Sequence, residues 1–272
     1  MNALVFVCIF TGLIHFFETL ASSMRLAGVR TKQVATSLAF VNTAFLIARM
    51  SNMLQAPLLG GMVDMAILNN DPGDLANKFR IVIFCAFIGN VCGALLIPFF
   101  VNIFEEAIYV FEKKGSIPKL ILESVRPVNI KKIVRAFRLP DAGSFRNLSL
   151  KNVSPTFLIL NFVMVSIYAI GVLSSLFAGA QVPEFRTTAS QLSGIVNGMA
   201  TVLLALMVDP TCAFITDQAV RGKRSENDVR AMVFYIILGR ILGTLILSQL
   251  LFWPASEYIK DATLFVKSVF VR

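Results

Sequence analysis

Arg49 and Arg240 each stand inside a long apolar run, well away from its ends. A charged side chain at that depth is costly, so it faces a partner or a hydrophilic cavity rather than lipid. The guanidinium stays charged and presents a planar fork that grips phosphate oxygens in pairs. The two arginines therefore allow two readings: an anionic headgroup site, or internal salt bridges to Glu18, Asp64 or Asp209. Their neighbours extend the pattern. Thr11, His15, Glu18, Ser22 and Arg25 fall within about 80° of one another at 100° per residue, a polar stripe on an otherwise apolar helix. Asn42, Arg49 and Asn52 share a second polar face, and Asn197 and Thr201 share a third, with Asp209 further along that run. Thr244 lies one turn from Arg240. Such stripes are expected to meet in one central cavity lined by Arg49, Arg240, Glu18, Arg25, His15, Asn42 and Asn52. His15, the single histidine, reads equally as a proton relay or as a hydrogen-bonded structural residue. Glu18 reads as a proton or cation site, or as an arginine's counter-ion.

Other chemistries have no residues to carry them. The P-loop pattern G-x-x-x-x-G-K-[ST] is absent, as are G-x-S-x-G and H-E-x-x-H. One histidine excludes multi-histidine metal sites. Cys8, Cys85, Cys92 and Cys212 all lie in apolar runs without a CxxC pair, which points to small apolar filler rather than a disulfide or zinc framework. No metal and no cofactor is expected.

The elements that must position these residues are membrane helices. The chain has 272 residues, 56% hydrophobic and 15% charged, too apolar for a soluble domain. A span needs about 20 mostly apolar residues, and six runs meet that length, at roughly 3–26, 34–62, 81–104, 155–180, 188–216 and 231–253. The first run lacks a basic leader and carries His15 and Glu18, so it reads as a permanent helix rather than a cleaved signal. The fold class is thus an all-α polytopic membrane protein with about six transmembrane helices.

Charge gives an orientation. Of the 25 basic residues, 17 fall in the loop after the first helix, in the segment 105–154 and after the fifth helix. Six fall on the opposite side, and Arg49 and Arg240 lie within spans. The positive-inside rule places the 17 in the cytoplasm and both termini outside. Within 105–154, Val128, Ile130, Ile133, Val134 and Phe137 interleave with Lys131, Lys132, Arg135 and Arg138. That pattern predicts an amphipathic helix on the anionic inner leaflet, with a solvated basic loop as the alternative and nucleic acid as an unfavoured partner.

The halves resemble each other. "FRIVIFCAFIGNVCGALLI" matches "VRAMVFYIILGRILGTLIL" without a gap, pairing Gly89 with Gly239 and Gly93 with Gly243. "QAPLLGGMVDMAI" matches "VDPTCAFITDQAV", pairing Pro57 with Pro210 and Asp64 with Asp217. "VRT" at 29–31 matches "FRT" at 185–187, and His15 pairs more faintly with Tyr168. Three helices per half is an odd number, so the second half enters the membrane inverted. The expected organisation is 1–104 as one three-helix repeat, 105–154 as a basic amphipathic linker and 155–272 as the inverted second repeat. Inverted repeats characterise many secondary transporters, with the substrate path at the repeat interface. Pro57, Asp64, Pro210 and Asp217 then read as paired gates, while a duplication without transport is the competing reading. The glycine pairs read as close-packing faces, within one chain or in a homo-oligomer.

"HFFETLASSMRLAGVRT" at 15–31 and "ARMSNMLQAPLLGGMVD" at 48–64 resemble the Amj family of bacterial membrane proteins, whose name means alternate to MurJ. The resemblance runs end to end. It implies a flippase in the bacterial cytoplasmic membrane that carries lipid II, the undecaprenyl-pyrophosphate-linked peptidoglycan precursor, from the inner to the outer leaflet. Flipping of another polyprenyl-phosphate lipid is the nearest alternative. An intramembrane enzyme using Glu18 and His15 as acid and base is the alternative from another class.

Overall fold

In the computed structural model, residues 3–116 and 153–270 are described continuously, with 119, 120, 122, 126, 129, 134–141, 143 and 148 between them. Nine α-helices are found among the described residues, and no strand. They are α1 (Ala3–Thr31), α2 (Val34–Leu68), α3 (Pro72–Leu95), α4 (Ile97–Lys114), α5 (Pro155–Gln181), α6 (Arg186–Leu203), α7 (Asp209–Val220), α8 (Glu226–Leu242) and α9 (Ser248–Phe270). A π-helical turn, Leu204–Val208, joins α6 to α7, and another, Gly243–Leu247, joins α8 to α9. Counting each joined pair once, six segments are long and apolar enough to cross a membrane.

Local chemistry sets the ends. Asp71 caps α3 by accepting from the Asp74 N–H at 3.0 Å, and Pro72 occupies the first turn, where its missing N–H costs nothing. Ser225 and Asp228 form a reciprocal capping box at α8. Gly115 closes α4 in the left-handed region at φ 63°.

The third span stops at Leu95, earlier than the apolar run suggests, because Pro98 has no N–H to bond the carbonyl four residues back and sits instead in the first turn of a new helix. The chain restarts as α4. Phe104, Ile108 and Phe111 pack on Ala21, Met24 and Ala27 of α1 and on Phe40 and Ala44 of α2. The expected division at residue 104 therefore falls inside a helix. In the expected amphipathic segment, Val128, Ile130, Lys131, Lys132 and Ile133 lie outside the described residues. Val134 and Phe137 are exposed to solvent, although the Phe137 ring lies 5.4 Å from that of Phe99.

Two large apolar clusters draw on both halves of the chain. One joins Leu26 and Val101 to Phe157, Ile215 and Met232. The other joins Val7, Leu59 and Phe79 to Ile170, Phe177 and Phe252. The halves are therefore packed as one bundle rather than as separable domains.

Within each half, glycines bring the third span against the first. A Cβ on Gly89 would stand 2.3 Å from the Gly12 carbonyl oxygen, and one on Gly93 would stand 2.9 Å from Thr19 Cβ, so α3 lies tight on α1. A Cβ on Gly239 would stand 2.8 Å from Asn161 Nδ2, and one on Gly243 would stand 2.7 Å from Ser166 Oγ, so the α8–α9 span lies tight on α5. All four glycines are used within the chain, and the matched pairing is consistent with the expected inverted repeat. Within the first half, Thr19 Oγ1 donates to Asn90 Oδ1 at 2.8 Å, and Asn90 carries the network across the halves. Asn90 Nδ2 in turn donates to Thr244 Oγ1 at 3.1 Å and to the Arg240 carbonyl at 3.4 Å.

Peripheral ion pairs also cross the halves. Arg186 bonds Asp64 at 2.8 Å and Arg30 bonds Glu226 at 2.8 Å, while Arg30 also bonds Glu105 of the neighbouring α4 at 3.0 Å. The Arg186–Asp64 pair is about half exposed on both sides, so screening leaves it worth at most about 1 kcal/mol. Arg186→Gln is expected to lower the unfolding midpoint of the detergent-solubilised protein by no more than a few degrees, as differential scanning fluorimetry would measure. A larger drop would show that this contact holds the halves together.

Candidate functional site

A cavity of about 300 Å³ lies between the halves. The first half lines it with Glu18, Ser22 and Arg25 of α1 and Asn42, Phe45 and Arg49 of α2. The second half adds Asn161 and Tyr168 of α5, Thr201 of α6, Asp209 and Cys212 of α7, and Arg240 of α8. The wall at Leu204, Ala205 and Val208 is the π-helical turn. Pro210 explains that turn. Without an N–H it cannot bond the carbonyl four residues back, and the helix rewinds around the defect. Asp209 sits beside this irregularity, on the cavity wall.

The ionic pattern is specific. Arg240 Nη1 donates to Glu18 at 2.8 Å, both side chains nearly buried. Arg25 Nη2 donates to Asp209 at 3.0 Å. Arg240 Nε is buried without a partner among the described residues. Arg49 makes no hydrogen bond or ion pair among the described residues; it stands on an exposed part of α2 at the cavity's edge. Three arginines against two carboxylates leave a formal charge of +1. α2 and α6 make little direct contact, and both carry exposed apolar side chains, among them Met50, Met53, Met199 and Val202.

A second chamber of about 50 Å³ is lined by Thr11, His15, Asn52, Gln55 and Asn197, with Tyr168 common to both. Five of the seven expected cavity residues (Arg49, Arg240, Glu18, Arg25 and Asn42) thus line the large cavity, while His15 and Asn52 line the small one. The α1 stripe is continuous, but the packing of α5 divides what it faces. Pro57 is exposed within an unbroken α2, Asp64 is held by Arg186, and Asp217 pairs with Arg221 one turn away at 2.9 Å. Of these and Pro210, none lines either chamber. Sequence reading passed over Asn90, Gln55 and Asn161, and the available signal was an amide within an apolar run. Gln55 Oε1 accepts from Thr11 Oγ1 at 3.0 Å, and Asn161 Nδ2 donates to the Ile236 carbonyl at 3.2 Å.

Six apolar spans around a polar, positively biased chamber define a multi-pass membrane protein. The family model described as Amj, alternate to MurJ, matches residues 10–263, and the chain belongs to that family. It is similar to the lipid II flippase Amj of Bacillus subtilis (strain 168), with 36% identity over 256 residues covering 94% of each chain. No solved structure matches.

Proposed function

We propose that this protein is a lipid II flippase, moving the undecaprenyl-pyrophosphate-linked peptidoglycan precursor from the inner to the outer leaflet of the cytoplasmic membrane. The observation that carries the reading is the unpaired Arg49 guanidinium in a cavity that already holds two arginine–carboxylate pairs. Its natural partner is a phosphate oxygen. At about 300 Å³ the cavity is at the lower end for a small-molecule site, suited to the diphosphate and the sugar beside it. The polyprenyl chain stays in lipid through a seam between α2 and α6. The family relationship supports the substrate. The halves act as inverted copies around this cavity, and a gradient or consumption of the product drives net export. A membrane potential, inside negative, favours outward movement of an anion by about 2.3 kcal/mol per charge per 100 mV. Rescue of cells depleted of their main lipid II flippase tests the function, together with translocation of labelled lipid II in proteoliposomes. Lipid recovered chemically unchanged distinguishes a flippase from an enzyme, and failure of both assays overturns the reading.

The orientation belongs to this proposal, with both termini outside and the basic segment in the cytoplasm. In a background lacking the four native cysteines, a cysteine at Lys267 should react with an impermeant thiol reagent in intact cells. One at the exposed Lys223 should react only after lysis. The opposite pattern would invert the topology.

A further inference from the structure

The small chamber holds the chain's one histidine in an unusual state. His15 is 4% exposed and its Nδ1 has no hydrogen-bond partner among the described residues. Asn197 Oδ1 of α6, which lines the same chamber, is also buried without a partner among the described residues. Buried polar atoms are rarely left unpaired, and a small polar chamber lined by such atoms has the size and chemistry for a few waters. The charged groups acting on the imidazole are Glu18, one turn along α1, and Arg240 from α8. Tyr168 from α5 lines the chamber, and α2, α3 and α6 supply Asn52, Gln55, Val82 and Asn197, none of them charged.

The adjoining cavity has a formal charge of +1, from three arginines and two carboxylates. A diphosphate diester carries two negative charges, so its entry leaves the site one positive charge short. Imidazole is the group nearby that can gain a proton near neutral pH. We propose that His15 binds one proton when the lipid diphosphate enters the cavity and releases it when the diphosphate leaves. The proton comes from water, adds to a ring nitrogen and returns to water; no bond in the lipid is made or broken. The inference rests on the proposed flippase function and adds a proton to it.

Titration calorimetry of the full-length protein in detergent with short-chain lipid II, in two buffers of different ionisation enthalpy, tests this. The wild type should take up as much as one proton per lipid bound. Where the proton is taken up on binding, its affinity should weaken with rising pH, by up to roughly tenfold per unit. His15→Gln should bind more weakly, take up no proton and show no such slope. Wild-type binding without proton uptake would overturn the proposal, as would undiminished uptake by His15→Gln, which would move the proton to Glu18. Should His15→Gln fail to fold, the wild-type slope decides, and a flat one overturns it. Absence of any lipid II binding would instead fell the flippase reading and this inference together.

Discussion

Arg49→Ala is expected to reduce lipid II translocation to background while the amount of folded protein stays near the wild-type level. The side chain is exposed and makes no hydrogen bond or ion pair among the described residues, so its loss breaks nothing that holds the bundle together. Its contribution to a bound diphosphate is a set of charge-assisted hydrogen bonds worth about 1.5–3 kcal/mol, or roughly 10- to 150-fold in affinity. Arg49→Lys should recover only part of this, because lysine keeps the charge and loses the planar fork. Arg240→Ala should also stop translocation, but through two effects. It removes a guanidinium from the site, and it strands the nearly buried Glu18 carboxylate, where an unpaired charge costs about 3–5 kcal/mol. Arg240→Ala combined with Glu18→Gln removes the stranded charge. If this double variant accumulates normally and still fails to translocate, Arg240 acts on the substrate. If it translocates normally, Arg240 serves only to neutralise Glu18. Normal translocation by Arg49→Ala would remove the central support for the headgroup site. Proteoliposome flux, normalised to folded protein by size-exclusion profile, is the measurement in each case.

Gly89→Val is expected to prevent accumulation of folded protein. The position has no room, since a Cβ would stand 2.3 Å from a backbone carbonyl of α1 and helix backbones do not yield as a flexible side chain does. Separating α1 from α3 would also pull Thr19 from Asn90, and so loosen the one buried amide that ties α3 to both α1 and the Arg240 turn. Overpacking typically costs about 1–3 kcal/mol, and more where rigid backbone blocks relaxation, a large fraction of a typical stability. Gly60 has nothing within 4 Å of its would-be Cβ, so Gly60→Ala should accumulate as the wild type does. Quantitative immunoblotting of membrane fractions compares the two. Equal accumulation would show that the α1–α3 contact is not required.

The sequence alone determined the six spans and their order, because an unbroken apolar run of about 20 residues spans a bilayer as a helix, with every backbone group bonded internally. It also determined which faces are polar, since helical periodicity fixes the angle between His15, Glu18 and Arg25 whatever surrounds them. The end of the third span just before Pro98 was equally written there, but the apolar run continues past the proline and hides it. Tertiary structure alone decided which charges meet. Glu18 and Arg240 are 222 residues apart in the chain, Arg25 and Asp209 are 184 apart, and no local rule selects these pairs over Asp64, which lies with Arg186 instead. It also decided that one continuous stripe on α1 faces two chambers, with Tyr168 common to both. Periodicity tells a helix which side to turn inward; what it meets there depends on how five other helices pack against it.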